Sequence, residues 1–242
     1  MNFIPWLIAA VAAIVAIVFL VWRARLGREL AAMRATPVGR VADAVAKAPG
    51  TLVAVTGPIT STAPIKGEFS GRECVYCHTL VEREYEEESR DSDGKRELRR
   101  QFETESSNET FAPSTLGDGS GTVAINFTGA KVEAVQVHRK YEAAIAGGII
   151  GSLLGTPGAT LGHRYTEWII APGTQVYVLG TVLASGGSIG APPAKGSPFI
   201  VSIKSEAQRE RSVRWTRLWL ALAALVALVI AAAIVAWSLA KS

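Results

Sequence analysis

Cys74-Val75-Tyr76-Cys77-His78 is the most reactive-looking run in the chain. A Cys-x-x-Cys pair supplies half of a tetrahedral zinc site, and at a helix start it can also serve as a redox dithiol. Neither use is completed nearby, since these are the only two cysteines and, of the three histidines, His138 and His163 stand isolated. The pair lies in a strand-like run, where positions three apart face opposite ways. The spacing therefore predicts two half-buried strand cysteines, with no catalytic residue, no metal site and no cofactor. Nucleophile-elbow and phosphate-loop patterns are missing too. Asp118, in Gly117-Asp118-Gly119, reads as a turn residue. The carboxylates Glu84, Glu86, Glu87 and Glu88 could attract a metal or a basic partner. Neighbouring strand residues cannot all converge, so the cluster reads as the solvated end of a hairpin turning at Asp93-Gly94. Arg164, Tyr165 and Glu167 form a candidate interaction surface, because Arg and Tyr are favoured at contact hot spots. Alternation puts Tyr165, Glu167 and Ile169 on one side of that strand and Arg164, Thr166 and Trp168 on the other, with Trp168 expected in the core.

The elements that must position these groups start from two uncharged stretches, residues 3–22 and 218–240. Each is long enough, at about 1.5 Å per helical residue, to cross a hydrocarbon core of about 30 Å. Trp6, Trp22, Trp215, Trp219 and Trp237 sit near their ends, where indoles prefer the headgroup level. No Lys or Arg precedes the first stretch and Arg23, Arg25 and Arg28 follow it, the reverse of a cleaved signal peptide. Further basic residues, Arg34 and Arg40 on one side and Lys204, Arg209, Arg211, Arg214 and Arg217 on the other, flank the central region. The positive-inside rule then predicts a multi-pass protein of the cell membrane, with its central domain in the cytoplasm. A formal net charge of only +4, concentrated beside the apolar stretches, points to the lipid bilayer and its anionic headgroups, through the juxtamembrane arginines, and away from nucleic acid.

Between the stretches, residues 23–50 read as a helical linker, 51–205 as a β domain and 206–217 as a basic linker. Thr36-Pro37 is an N-cap and first-turn signature ahead of Val38, Val41, Ala42 and Val45, which predicts a short amphipathic helix. From Thr51 onward, short apolar or alternating runs bounded by Gly and Pro predict seven or eight strands in a small barrel or sandwich. An apolar Gly-rich insertion within residues 143–161 is too short to span, and Gly147, Gly151 and Gly155 offer a helix-packing seam for a homo-oligomer.

Ser70-Gly71-Arg72-Glu73-Cys74-Val75-Tyr76, then Glu82, Phe111, Leu116, Asp118, Gly121, Val123 and Gly129-Ala130, stand in the order of the GIDE, or "beside a membrane", domain. Arg164-Tyr165-Thr166-Glu167, Pro172-Gly173, Tyr177-Val178-Leu179-Gly180 and Pro198-Phe199-Ile200-Val201-Ser202 resemble its remaining blocks. The resemblance covers roughly residues 51–205. It implies the two-span layout of a family known from mitochondrial-anchored ubiquitin ligases and prokaryotic relatives. The chain departs from the pattern in Cys77-His78 and in the glycine insertion. A RING holds two tetrahedral zinc ions with eight Cys and His ligands, and this sequence has only two cysteines and three histidines, so a prokaryotic-type member without a RING is expected. The expected function is a membrane-anchored, non-catalytic interaction or scaffold module with a protein partner. The alternatives are a ubiquitin-ligase-related transferase, implied by the resemblance alone, and a thiol enzyme at Cys74 or Cys77.

Overall fold

Helix α1 (Ile4–Ala35) carries the first apolar stretch and continues beyond it. At about 1.5 Å per residue its 32 residues are some 48 Å long, so well over 10 Å stands beyond what a bilayer core would cover. The chain is seen in a computed structural model that describes residues 4–90, 96–144, 159–184, 187–192 and 197–240. A second long helix, Glu206–Ala240, closes the described chain. Both helices are long and apolar enough to cross a membrane. They run antiparallel against each other, as Gly27 against the Arg217 guanidinium and Arg34 against Glu210 show.

After α1 comes α2 (Val41–Val45), a single short helix. Thr36-Pro37 does not cap it. Val38 instead bridges Ala54, Gly39 donates to the Ala54 carbonyl at 2.9 Å, and Arg40 precedes the first turn without a side-chain cap. The orphan amides of α2 find their acceptors across the fold, in Asp118 and Ser120.

Thirteen strands follow among the described residues: β1 (Leu52–Thr60), β2 (Ile65–Lys66), β3 (Glu73–Cys74), β4 (Tyr76–Arg90), β5 (Arg96–Phe111), β6 (Ser114–Gly117), β7 (Thr122–Ile125), β8 (Lys131–Glu133), β9 (Val135–Ala143), β10 (Thr160–Ile170), β11 (Gln175–Val182), β12 (Ser188–Gly190) and β13 (Ile200–Ser202). The long helix after them is α3. The count exceeds the expected seven or eight because the apolar run at 74–85 is broken at Val75 and several pairing segments, such as β6 and β12, are only three or four residues long.

β1 pairs with β6 and β11, β6 with β7, β7 with β12 in parallel, and β12 with β11, which closes a small five-stranded barrel. β13 and β8 extend from β11 at Tyr177–Leu179. Closure leaves no free edge around that ring, and its interior is filled by inward β-branched and apolar residues such as Val53, Val55, Leu116, Val123, Val178 and Val201. Gly180 serves this packing: a Cβ there would lie 2.7 Å from Ile189 and 2.8 Å from the Phe199 ring.

The remaining long strands form a separate sheet in the order β5-β4-β10-β9. At about 3.4 Å per residue the β4–β5 hairpin is roughly 50 Å long. Its turn at Asp93-Gly94 lies outside the described residues, as do Gly147, Gly151 and Gly155. The carboxylates on β4 are not a solvated cluster. Glu84 and Glu86, two apart and therefore on one face, are buried, whereas Glu87 points out. Cross-strand pairing explains why they are tolerated. Glu86 and Glu87 stand opposite Arg100 and Arg99, and Arg100 reaches within 3.9 Å of Glu84.

Candidate functional site at the junction of helices and β domain

The densest buried polar cluster lies where α1, α3 and the barrel meet. α3 starts with a capping box: the Gln208 amide donates to the Ser205 hydroxyl at 3.3 Å and the Ser205 amide to the Gln208 side chain at 3.2 Å. One turn on, Arg209 is 1 % exposed. Its guanidinium sits 2.6 Å from Glu29 of α1 and 2.7 Å from Glu133 at the end of β8. Lys131 reaches the other oxygen of Glu29 at 3.0 Å. The Ser202 hydroxyl of β13 donates to Glu133 at 2.7 Å, and Lys204 stands 3.8 Å away. Burial pushes the Glu133 carboxyl up, but Ser202, Arg209 and Lys204 together outweigh it and hold the group below its ordinary range. A charge this enclosed is tolerable only when paired, so the cluster fastens both long helices to the barrel. Tyr177 of β11 packs beside it against Met33, its hydroxyl buried without a hydrogen-bond partner among the described residues.

Sequence reasoning missed Glu29, Lys131, Glu133 and Arg209 as a unit. One signal was available: Glu29 is the only acidic residue between Arg23 and Arg40.

The two cysteines behave differently from the expectation of opposite faces. The chain bends at Val75, whose amide donates to the Ile170 carbonyl, and Cys74 and Cys77 both enter one buried cluster with Ile169. The bend changes the strand phase, so three residues no longer invert the side. Both thiols are free and buried. Burial, then the neighbouring Cys77 and Glu167, pushes Cys74 up to about 12, and burial also raises Cys77. Such thiols stay protonated at neutral pH and lack the reactivity of a free thiolate. In the folded chain both cysteines should resist a maleimide at pH 8 over the time in which a denatured sample is fully modified. Rapid labelling of the folded chain would refute the burial.

The structure separates Arg164, Tyr165 and Glu167. Glu167 is fully buried and cannot belong to a contact surface: the Phe69 amide donates to it at 2.7 Å, and so does the Ser70 hydroxyl. It pins the 67–70 loop. Tyr165 meets the Phe69 ring edge-on. Arg164, on the other side as alternation requires, pairs with Glu82 at 3.5 Å and lies 4.1 Å above the Phe102 ring. Trp168 is only half-buried: it stacks on His78 with centroids 5.1 Å apart and lines an open cleft with Val132 and Ile203.

Asp118 does more than turn the chain. Its carboxylate accepts the Ser120 amide and hydroxyl at 2.8 and 2.6 Å and the Val41 amide at 2.8 Å, while Ser120 accepts from Ala42 at 3.2 Å. The Ser120 hydroxyl foremost, then the Val41 amide, lower its pKa to about 2. The tie to α2 is therefore complete above the ordinary 3.8 and is lost as pH falls through about 2. Asp118→Ala should speed amide exchange at Val41 and Ala42 at neutral pH and leave the barrel amides unchanged.

A protein-family model described as "GIDE: E3 Ubiquitin ligase" matches residues 81–236. The chain belongs to the GIDE family. No curated protein and no solved structure matches it. In this GIDE chain the matched stretch begins within β4 and runs into α3, so it takes in Lys131, Glu133, Ser202 and Arg209 of the junction but leaves Glu29, Gly71, Cys74 and Tyr76 outside. The residues that carry the resemblance are mostly architectural. Gly71 and Gly173 hold turns at φ 66° and 81°, the latter after Pro172. Tyr76 stacks on Phe127, and Phe199, next to Pro198, packs over Gly180. Gly121 lies beside α2, with Ala42 3.6 Å from where its Cβ would be, an ordinary contact distance. Tyr177 and Ser202 belong to the junction itself.

Proposed function

We propose that this GIDE chain is a membrane-anchored, non-catalytic interaction module of the cell envelope, whose four-stranded sheet recruits a protein partner. The observation that carries the reading is the distribution of exposed apolar side chains. Among the described residues outside the long helices, the large hydrophobics exposed to solvent are Val38, Leu98, Phe102, Phe111, Val135 and Tyr141. Five of these six lie on β5 and β9, the two open edges of the sheet, where unpaired backbone groups invite an added strand. The buried Glu29–Arg209–Glu133 cluster supports the reading from below, since it makes the barrel a rigid mount on the helix pair. A photo-crosslinking residue at Phe102 in native membranes should capture a discrete partner, and Phe102→Ser with Tyr141→Ser should abolish that capture. Equal capture by the double variant would overturn the assignment.

The same reading puts α1 and α3 across the membrane with the β domain on the cytoplasmic side, supported by the basic residues next to the apolar stretches. The buried thiols make this testable, because a single Ser92→Cys is then the one reactive site expected. Labelling of intact cells by an impermeant maleimide would reverse the orientation. The family model's description favours a second reading, ubiquitin transfer. Discharge of a ubiquitin-loaded conjugating enzyme by the purified chain would establish it.

A further inference from the structure

We propose that α3 carries a binding site for the headgroup of an anionic phospholipid, centred on Arg211, Arg214 and Trp215. The inference rests on the reading of α1 and α3 as membrane spans. Their antiparallel contacts, Arg34 with Glu210, Glu29 with Arg209 and Gly27 against the Arg217 guanidinium, set the relative heights of the two helices. Arg25 and Arg28 then flank the height of Arg217, which lies against Gly27. Arg23, Arg25, Arg28, Arg211, Arg214 and Arg217 thus form one cationic band just above the apolar stretches. The carboxylates of that region are already engaged, Glu29 by Arg209 and Lys131 and Glu210 by Arg34. None of the six arginines pairs with a carboxylate among the described residues.

Within this band, Ala207, Glu210, Arg211, Arg214, Trp215 and Leu218 recur three and four residues apart, on one helix face, and line a cleft of about 410 Å³. Inward of Ala207 and of Glu210, whose carboxylate Arg34 holds at 2.6 Å, the cleft grades from guanidiniums through an indole to an aliphatic side chain, and Trp215 and Leu218 are 59 % and 64 % exposed. That order is the order of a phospholipid, anionic head outward and acyl chain inward. A soluble phosphate would use the guanidiniums but leave the indole and leucine bare. A basic residue near the surface strengthens binding to an anionic bilayer about fivefold.

The full chain is inserted into nanodiscs of phosphatidylglycerol and phosphatidylcholine, and spin-labelled versions of each lipid report their relative association with the protein. Wild type should enrich phosphatidylglycerol several-fold, Arg211→Gln with Arg214→Gln should remove the larger part of that enrichment and leave only what the other four arginines sustain, and Arg139→Gln with Lys140→Gln, on β9, should leave it unchanged. A chain that does not co-elute with the nanodisc sinks the membrane reading and this one with it. A chain that inserts without enrichment, or whose enrichment survives Arg211→Gln with Arg214→Gln, sinks the headgroup site alone. Loss of enrichment on adding inorganic phosphate at matched ionic strength would assign the cleft to a soluble anion and overturn the lipid.

Discussion

Arg209→Met is expected to destabilise the β domain by about 3–5 kcal/mol, the cost of leaving buried carboxylates without their counter-charge. Glu29 and Glu133 would then face each other across the site with only Lys131, Lys204 and Ser202 to offset them. Glu133 keeps more solvent access than Arg209, with its side chain 29 % exposed, so the lower end of that range is the better expectation. Thermal unfolding in detergent micelles, followed by near-ultraviolet circular dichroism, reads the loss directly. The mechanism has a second signature. Adding Glu29→Gln and Glu133→Gln to Arg209→Met removes the stranded charges and should restore much of the stability, a recovery that simple loss of packing would not show. The wild-type pH dependence has a definite sign. Glu133 is held below its ordinary value of 4.5 in the folded chain, so its contribution is complete above that value and disappears as pH falls below it. An Arg209→Met variant as stable as wild type at pH 7 would show that the cluster does not hold the helices to the barrel.

Gly57→Ala should be equally damaging for a steric reason. A Cβ at Gly57 would stand 2.2 Å from the Gly117 carbonyl oxygen and 2.9 Å from its carbon. Both are backbone atoms of β6, so no rotamer change can make room; β1 and β6 must separate, which opens the barrel beside the pairing of Ile59 with Leu116. Overpacking of this kind costs about 3 kcal/mol, or more where a strand must move. Gly39→Ala is the matched control, because nothing lies within 4 Å of the added methyl, and it should change stability by less than about 0.5 kcal/mol. Comparable melting curves for the two variants would refute the close approach of β1 to β6.

The predicted two-helix layout holds because its cause is local in sequence. A run of some twenty uncharged residues has one stable arrangement that satisfies its own amides, and the tryptophans at its ends follow from the same solvation argument. The alternation that predicted strands is equally local, and it placed Arg164 and Glu167 on opposite sides of β10, as found. The start of α3 was legible and overlooked: Ser205-Glu206-Ala207-Gln208 is a capping-box pattern, and it makes residues 206–217 the first turns of a helix, where a basic linker was expected. Trp168 was misplaced because alternation tells which face a residue takes but not how closely the next layer packs on it: a cleft remains between Trp168 and Val132 and Ile203. The solvated reading of Glu84 and Glu86 failed likewise, since the arginines opposite them belong to the partner strand.

By itself the sequence determined the two apolar helices, the mainly-β character between them and membership of the GIDE family, since each rests on periodicity, composition or the order of short motifs. Only the tertiary structure decided which charges meet. Glu29, Glu133 and Arg209 are more than 70 residues apart along the chain, and their pairing depends on the antiparallel packing of α1 on α3 above β8. The same holds for Asp118 as the cap of α2, for the bend at Val75 that brings two thiols together, and for a glycine at position 57. Long-range contact is set by how layers close on one another, and a residue's neighbours in sequence do not carry that information.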